Sequence, residues 1–207
     1  MGARGRAIYV RIVIGAPMER VWELTQDTDL HPRWDARFSS IRTVETLPSG
    51  ATRFRYERRI PFHTIVGTGT TIGERSRPDG TRTSALRFDT TDPLSPLGDG
   101  RGYWRYEPTA DGGVVFTTGY DYEPGWGRLP DRVLRPLIGW MTAWSFDRLR
   151  IWAETGTEPE RWPVGSMLWF WRRDRPRAAR AARRPPGREA ASVMRDAPAT
   201  LDTLEEP

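Results

Sequence analysis

One stretch, residues 128–154, constrains the fold more than any other part of this sequence. Placed on a helix at about 100° per residue, its large apolar side chains fall on one half of the surface. These side chains are Val133, Leu134, Leu137, Ile138, Trp140, Met141, Trp144, Leu149, Ile151 and Trp152. The opposite half carries Arg135, Gly139, Ala143, Asp147 and Arg150. So wide an apolar arc requires a partner that wraps around the helix, and Pro136 predicts a kink or break within it.

The chain before this helix supplies such a partner as a series of strand-like segments. The sequence predicts a first strand over residues 6–14, a helix over 18–26 that follows a proline, and a short second helix after 27–29. Further strands are predicted at 39–46, 52–60, 63–75, 84–89, 102–107 and 114–122. Strands joined by short turns pair in antiparallel fashion, so the predicted fold class is α+β.

This order of elements resembles the START/SRPBCC superfamily. The opening IYVRIVIGAPMERVWELTQDTDLHPRWD carries the resemblance, with a proline-led first helix containing Val-Trp and a Trp-Asp after the second helix. The resemblance covers about residues 6–155 and implies the helix-grip fold, a curved antiparallel sheet of about seven strands around the long helix. It also implies a cavity for an apolar or aromatic small molecule. Members include lipid carriers and polyketide cyclase/aromatases, and the fold does not choose between them.

Composition excludes several kinds of site. The sequence has no cysteine, no lysine, two histidines and no H-E-x-x-H motif, so we expect no metal site, no Schiff-base chemistry and no cofactor. The glycines of GTGTTIG, at 67–73, lie in a strand pattern and indicate a bent strand rather than a phosphate loop. No nucleophile with an adjacent base can be identified, so catalytic residues remain unassigned.

Candidate ligand-binding residues follow from the phase of the strands. Arg58 is in phase with Phe54, Tyr56 and Ile60, so it is expected to face the cavity and to need a partner. That partner could be an oxygen atom of a ligand or the carboxylate of Glu57. A position at the edge of the sheet would instead leave the Arg58 guanidinium in contact with solvent. The predicted ligand-binding set is Trp34, Tyr56, Arg58, His63, Trp104, Tyr106, Thr118, Tyr120, Met141 and Trp144. Aromatic residues with polar tips suit a pocket and an ordinary core equally well.

The segment HPRWD contains two further candidate residues, His31 and Trp34. We interpret His31 as a surface or helix-end residue, with a role in proton transfer as the alternative. Trp34 is interpreted as a core residue that closes the cavity.

Residues 157–207 are predicted to be an appendage to a domain of residues 1–156. The run 172–188 holds eight arginines and one aspartate, a net charge of +7, whereas the whole chain has +5. The rest therefore sums to about −2, and the arginine run is expected to be solvated and partly disordered. The aromatic segment before it, at 162–171, is predicted to pack on the domain through Trp169 and Trp171. Contact with a membrane surface is the alternative, and nucleic acid is least favoured.

Function is predicted in three classes. The leading hypothesis is a carrier or sensor that binds a hydrophobic or aromatic small molecule and catalyses no reaction. The alternatives are an enzyme of the polyketide cyclase/dehydratase kind and a protein whose tail recruits it to an anionic membrane or a partner. A cytoplasmic location is expected, because no stretch reaches the roughly 18 apolar residues of a membrane span and Arg11 interrupts any signal-peptide core.

Overall fold

The computed structural model describes residues 7–74, 77–186 and 190–207. Within these ranges the chain forms seven strands, two short helices before the sheet proper, one long helix, and a C-terminal segment of short helical turns. The strands are β1 Ile8–Ile14, β2 Ser40–Thr46, β3 Thr52–Ile60, β4 His63–Glu74, β5 Arg82–Asp89, β6 Leu97–Pro108 and β7 Val114–Pro124. The helices are α1 Met18–Gln26, α2 His31–Trp34, α3 Arg128–Thr155 and α4 Thr200–Thr203.

The strands form one antiparallel sheet in the order β1-β7-β6-β5-β4-β3-β2. Consecutive strands from β2 to β7 are neighbours, and β1 pairs with β7, with Ile8 opposite Tyr120. The curved sheet and the long C-terminal helix confirm the predicted α+β helix-grip fold. Strand β6 begins at Leu97, five residues before the predicted start at 102, so the breaker-rich loop ahead of it is shorter than expected. Predicted strand ends at Arg6 and Arg75 lie outside the described residues.

Glycines in β4 let aromatic rings of β3 lie flat against the sheet. The Tyr56 ring covers Gly67 and the Phe54 ring covers Gly69. A Cβ placed on Gly69 would lie 2.3 Å from the Phe54 ring and 2.9 Å from the Arg87 carbonyl oxygen. The segment GTGTTIG is therefore part of a strand, as predicted, and its glycines make room for rings that form one wall of the concave face.

Helix α3 is buried over its C-terminal two thirds but not along the whole predicted face. Trp144, Leu149 and Trp152 are buried against the sheet, whereas Leu137 is 53% exposed and Val133 is also exposed. The prediction that Leu137 is buried is wrong: the first turns of the helix contact β7 through Asp131, which accepts a hydrogen bond from the Tyr122 hydroxyl at 2.7 Å, and this contact leaves Leu137 in solvent. The helix continues through Pro136 without interruption.

The face of α3 predicted to be polar is also covered. Ala143 and Asp147 are buried there, because the turn Ala178–Arg180 packs against the helix. Asp147 accepts hydrogen bonds from Arg150 Nε at 2.7 Å, from Arg180 Nη1 at 2.9 Å and from the backbone N–H of Arg177 at 2.7 Å. The arginine run is therefore not uniformly solvated: one of its members neutralises a buried carboxylate of the domain. Arg188 lies outside the described residues.

The C-terminal segment wraps around the domain beyond this turn. Ala182 exchanges two backbone hydrogen bonds with Arg11 and so extends the free edge of β1. Farther on, Tyr103 donates to the Val193 carbonyl oxygen at 3.1 Å on the outer face of the sheet. Leu201 and Leu204 pack on the buried side chains of Ala51 and Ala85. The segment therefore crosses the convex face of the sheet from β7 toward β3.

The aromatic segment 162–171 docks through a residue other than the ones predicted. Trp162 is only 2% exposed, and Met167 packs against the main core. Trp169 is half-buried, but Trp171 is 65% exposed, so the prediction that Trp171 docks is wrong. The reason is a tight turn at Phe170, whose N–H bonds the Leu168 carbonyl oxygen at 2.9 Å and directs the chain away from the domain.

Candidate functional site

A cavity of about 390 Å³ lies between the concave face of the sheet, α2 and α3. Its walls are mostly aliphatic and aromatic. They include Ile41, Phe54, Ile65, Leu86, Phe88 and Ile138. A concave, largely apolar space of this size is typical of sites for small molecules.

Six of the ten residues predicted to bind a ligand line this cavity. They are Tyr56, Arg58, Trp104, Thr118, Tyr120 and Met141. The structure brings them together from β3, β6, β7 and α3, as the alternation of the strands requires.

Four predicted residues do not line it. Trp34 is fully buried one layer deeper, where its Nε1–H donates to the Leu24 carbonyl oxygen at 2.7 Å. Tyr106 is also buried, and its hydroxyl contacts Thr25 Oγ1 at 2.7 Å. Trp144 is a core residue of α3. His63 lies at the outer end of β4, where it pairs with Asp92 at 2.8 Å. Trp34, Tyr106 and Trp144 are thus covered by neighbouring side chains, whereas His63 lies at the end of its strand.

Arg58 is the charged residue of the predicted set that reaches the cavity. It is half-buried, and no hydrogen bond or ion pair to its guanidinium forms within the described ranges. The neighbouring Glu57 instead contacts Ser40 and Arg55, which removes it as the partner considered from the sequence. An arginine half-buried beside apolar walls without a carboxylate favours an anionic or oxygen-bearing ligand.

A buried ionic cluster forms the polar wall of the cavity. Asp35 is fully buried and pairs with Arg37, whose Nε lies 2.9 Å from Oδ1 and whose Nη2 lies 2.5 Å from Oδ2. His31 Nε2 lies 3.2 Å from the same carboxylate. The Arg37 guanidinium also lies over the Tyr120 ring, 5.4 Å from its centroid. His31 and Arg37 line the cavity, and Asp35 holds both in place.

The electrostatics of the cluster fix its protonation. Burial alone would raise the pKa of Asp35, but the charges and hydrogen bonds of Arg37 and His31 outweigh it and hold that pKa well below its usual range. Burial lowers the pKa of His31 more than Asp35 raises it, so the imidazole is neutral near pH 7. Because a carboxylate only accepts hydrogen bonds, Nε2 carries the proton and Nδ1 keeps its lone pair.

His31 begins α2, which confirms its interpretation as a helix-end residue, but its interpretation as a surface residue is wrong because the ring is buried. The ring stacks on Trp34 at 4.9 Å and meets the edges of Phe38 and Trp104 at 5.2 and 5.0 Å. Sequence reasoning missed Asp35 and Arg37 as functional residues. The spacing of four between His31 and Asp35, on one side of a helical turn, was the available signal.

The lowered pKa of His31 predicts a pH dependence of stability. The unfolded histidine takes up a proton near pH 6.5, whereas the buried one does not, so the unfolded chain binds more protons in mildly acidic solution. We expect the melting temperature to fall as the pH decreases from about 7 to about 5, and His31→Gln to remove much of this change. Calorimetry of both proteins across this range is the measurement. An unchanged pH profile in His31→Gln would show that another group is responsible.

One end of the cavity opens at an apolar rim. We refer to Phe62, Leu94, Trp126 and Leu137 as the rim: all four are exposed, Leu94 and Trp126 line the cavity, and Phe62 and Leu137 lie close in sequence to the lining residues Ile60 and Ile138. Trp126 Nε1–H donates to the Pro93 carbonyl oxygen at 3.1 Å, which joins the loop before β6 to the loop before α3. The opening therefore lies between the β3–β4 turn, the β5–β6 loop and the start of α3.

Comparison with known proteins agrees with this architecture. The family model described as polyketide cyclase / dehydrase and lipid transport matches residues 6–151. The uncharacterized membrane protein YndG of Bacillus subtilis (strain 168) is 42% identical over 173 residues, which cover 81% of this chain and 65% of that relative. The chain thus spans less than two thirds of that relative's length. Among the residues described here, no helix has the length and apolar character needed to cross a membrane.

Two solved structures share the fold at low identity. The human StarD13 (DLC2) lipid transfer and protein localization domain is 17% identical with a TM-score of 0.56, covering 72% of this chain and 77% of that one. The Zhui aromatase/cyclase from Streptomyces sp. R1128 is 15% identical with a TM-score of 0.52, covering 74% of this chain and 98% of that one. At these identities the similarity concerns the fold alone.

Proposed function

The chain belongs to the polyketide cyclase/dehydrase and lipid-transport family, and from that premise we propose that its cavity binds an apolar small molecule with an anionic or oxygen-bearing group. One observation carries the proposal: the guanidinium of Arg58, without an ion-pair partner in the described chain, reaches a cavity whose walls are mostly apolar. The walls favour an apolar body through the hydrophobic effect, and Arg58 favours an acidic group near the opening.

The binding role is that of a carrier or sensor. No side chain of the cavity wall is a serine, cysteine or lysine nucleophile paired with a base, and Arg37 is already neutralised by Asp35. The exposed apolar side chains of Leu94 and Trp126, which line the cavity, favour entry of a hydrophobic molecule at this end. The names of relatives with lipid-transfer domains support this role by analogy only.

Two fluorescent probes that differ by one sulfonate test the proposal. We expect the protein to bind both neutral N-phenyl-1-naphthylamine and anionic 1-anilinonaphthalene-8-sulfonate. Arg58→Met should weaken binding of the anionic probe by about tenfold or more, since a charge-assisted hydrogen bond contributes about 1.5–3 kcal/mol. Affinity for the neutral probe should remain within about twofold. Fluorescence titration of both probes gives the two dissociation constants.

Two control variants separate the cavity from other apolar surfaces. Arg59→Met removes the same charge from the adjacent, exposed position of β3 and should leave the affinity for both probes unchanged. Met141→Trp adds bulk to the wall and should weaken both probes. Equal binding of both probes to Met141→Trp and to the unmodified protein would contradict binding in the cavity.

A second function, catalysis of the polyketide cyclase/dehydratase kind, has one observation in its favour. The lone pair of His31 Nδ1 belongs to a neutral imidazole oriented by Asp35, the arrangement of a general base. Such a base removes a proton beside a ketone carbonyl, and the hydroxyl of Tyr120, 2.9 Å from Thr142 Oγ1, lies on the same wall. Incubation with a poly-β-ketone thioester analogue would yield an aromatic product that His31→Gln fails to form while still binding the neutral probe. If the unmodified protein forms no product, the catalytic function is contradicted and only the binding function stands.

A further inference from the structure

The segment after α3 carries an exposed apolar cluster that the cavity does not use. Leu168, Phe170 and Trp171 are 75%, 78% and 65% exposed, so three of four consecutive residues present large apolar side chains to solvent. The rings of Phe170 and Trp171 meet edge to face at 5.0 Å. Single exposed apolar residues are common on protein surfaces, but a cluster of this kind marks a contact site. We refer to these three residues as the aromatic edge.

Buried side chains of the same segment hold the aromatic edge against the domain. Trp162, six residues before Leu168, is buried, Met167 packs on the main core, and the Trp162 and Trp169 ring centroids lie 6.5 Å apart. Backbone hydrogen bonds from Trp169 N–H to the Ser166 oxygen at 3.0 Å and from Arg172 N–H to the Trp169 oxygen at 2.9 Å close the turn on both sides. The exposed side chains are therefore held outward by a packed base.

Arginines border the aromatic edge. The guanidinium groups of Arg161 and Arg172 lie 5.7 and 5.6 Å from the Trp162 ring centroid. Arg172 pairs with the exposed Asp174, whereas neither Arg161 nor Arg173 forms an ion pair with a carboxylate of the described residues. The nearby Glu160 is engaged by Arg33 at 2.7 Å. The border is thus cationic and has free donors for anionic oxygens.

We propose that the aromatic edge inserts into the headgroup region of an anionic phospholipid membrane. Tryptophan and phenylalanine favour the interface between water and hydrocarbon, and bordering arginines bind the phosphates of acidic lipids. A nucleic acid would use stacked, separated aromatic faces, whereas Phe170 and Trp171 cover each other's edges and stand beside an aliphatic leucine. The contact is separate from the ligand cavity, since no residue of the aromatic edge lines it.

Vesicle flotation of the full chain tests the proposal. We expect the protein to float with vesicles of phosphatidylcholine and phosphatidylglycerol, and much less with phosphatidylcholine alone. The triple variant Leu168→Ser, Phe170→Ser, Trp171→Ser should lose binding by about tenfold or more. Raising the salt concentration to about 1 M, where the Debye length is only about 3 Å, should also weaken it. The triple variant should keep its melting temperature and its affinity for the neutral probe, because its three side chains are exposed.

A matched variant at the cavity rim completes the design. Phe62→Ser with Leu137→Ser removes comparable exposed apolar surface elsewhere and should leave vesicle binding unchanged. The proposal is overturned if the unmodified protein does not float, if the triple variant floats equally well, or if only the rim variant loses binding. The last outcome would assign the membrane contact to the cavity opening. Each of these results is independent of whether the cavity binds the probes.

Discussion

Replacing Trp162 by alanine is expected to lower the free energy of unfolding by about 3–5 kcal/mol, the usual cost of truncating a buried aromatic side chain. Trp162 lies eleven residues beyond the end of the family match at residue 151, yet it is 2% exposed and anchors the segment that follows α3. The expected loss reflects the removed apolar contacts and the cavity left behind. Equilibrium denaturation by urea, monitored by circular dichroism, gives the free energy.

Trp171 provides the matched control within the same segment. Its side chain is 65% exposed, so Trp171→Ala should change the free energy of unfolding by no more than about 0.5 kcal/mol. Similar small losses for both substitutions would show that residues beyond α3 are not part of the cooperative fold. A large loss at Trp162 alone would show that the domain and its C-terminal segment unfold together.

Replacing Asp35 by alanine should cost a similar amount, about 3–5 kcal/mol, because removing one partner of a buried ion pair leaves the other charge uncompensated. Arg37 would remain beside the cavity without a carboxylate, and His31 would lose the acceptor of its Nε2–H. Denaturation at pH 7 measures the effect.

An exposed pair of the same two residue types tests whether burial is the cause. Arg172 and Asp174 are also two positions apart and form an ion pair at 2.8 Å, but on the surface. Asp174→Ala should therefore lower the free energy of unfolding far less than Asp35→Ala does. Comparable effects at both sites would contradict the role of burial. Partial recovery in the double variant Asp35→Leu, Arg37→Met would support it, because neither charge is then left unpaired.

Most of the fold could be predicted because its signals are local. The alternation of Ile8, Val10, Ile12 and Ile14 places all four on the buried face of β1, and the helical periodicity of α3 identifies its core residues Trp144 and Trp152. Leu137 was mispredicted because the start of α3 contacts β7 through the polar side chains of Asp131 and Arg135, a contact that apolar periodicity does not indicate. Periodicity defines a face, but only the tertiary structure decides what covers it.

The candidate site was predictable where it depends on the phase of a strand and not where it depends on irregular backbone. Arg58 reaches the cavity because β3 is regular from Thr52 to Ile60. The cluster of Asp35 and Arg37 forms after α2, where the chain becomes extended at Asp35 with φ −90° and ψ 104°. No pattern in the sequence specifies that change of direction. The composition of the arginine run likewise could not predict that Arg180 pairs with Asp147, because the two residues are 33 positions apart in sequence.

The most direct test of the central claim, that the cavity holds an apolar small molecule, is mass spectrometry of the molecules that co-purify with the protein. Organic extracts of the unmodified protein and of Met141→Trp, prepared in parallel, should differ. The account predicts a molecule with an apolar body and an acidic or oxygen-bearing group in the first extract, strongly reduced in the second. Identical extracts from the two proteins would contradict it.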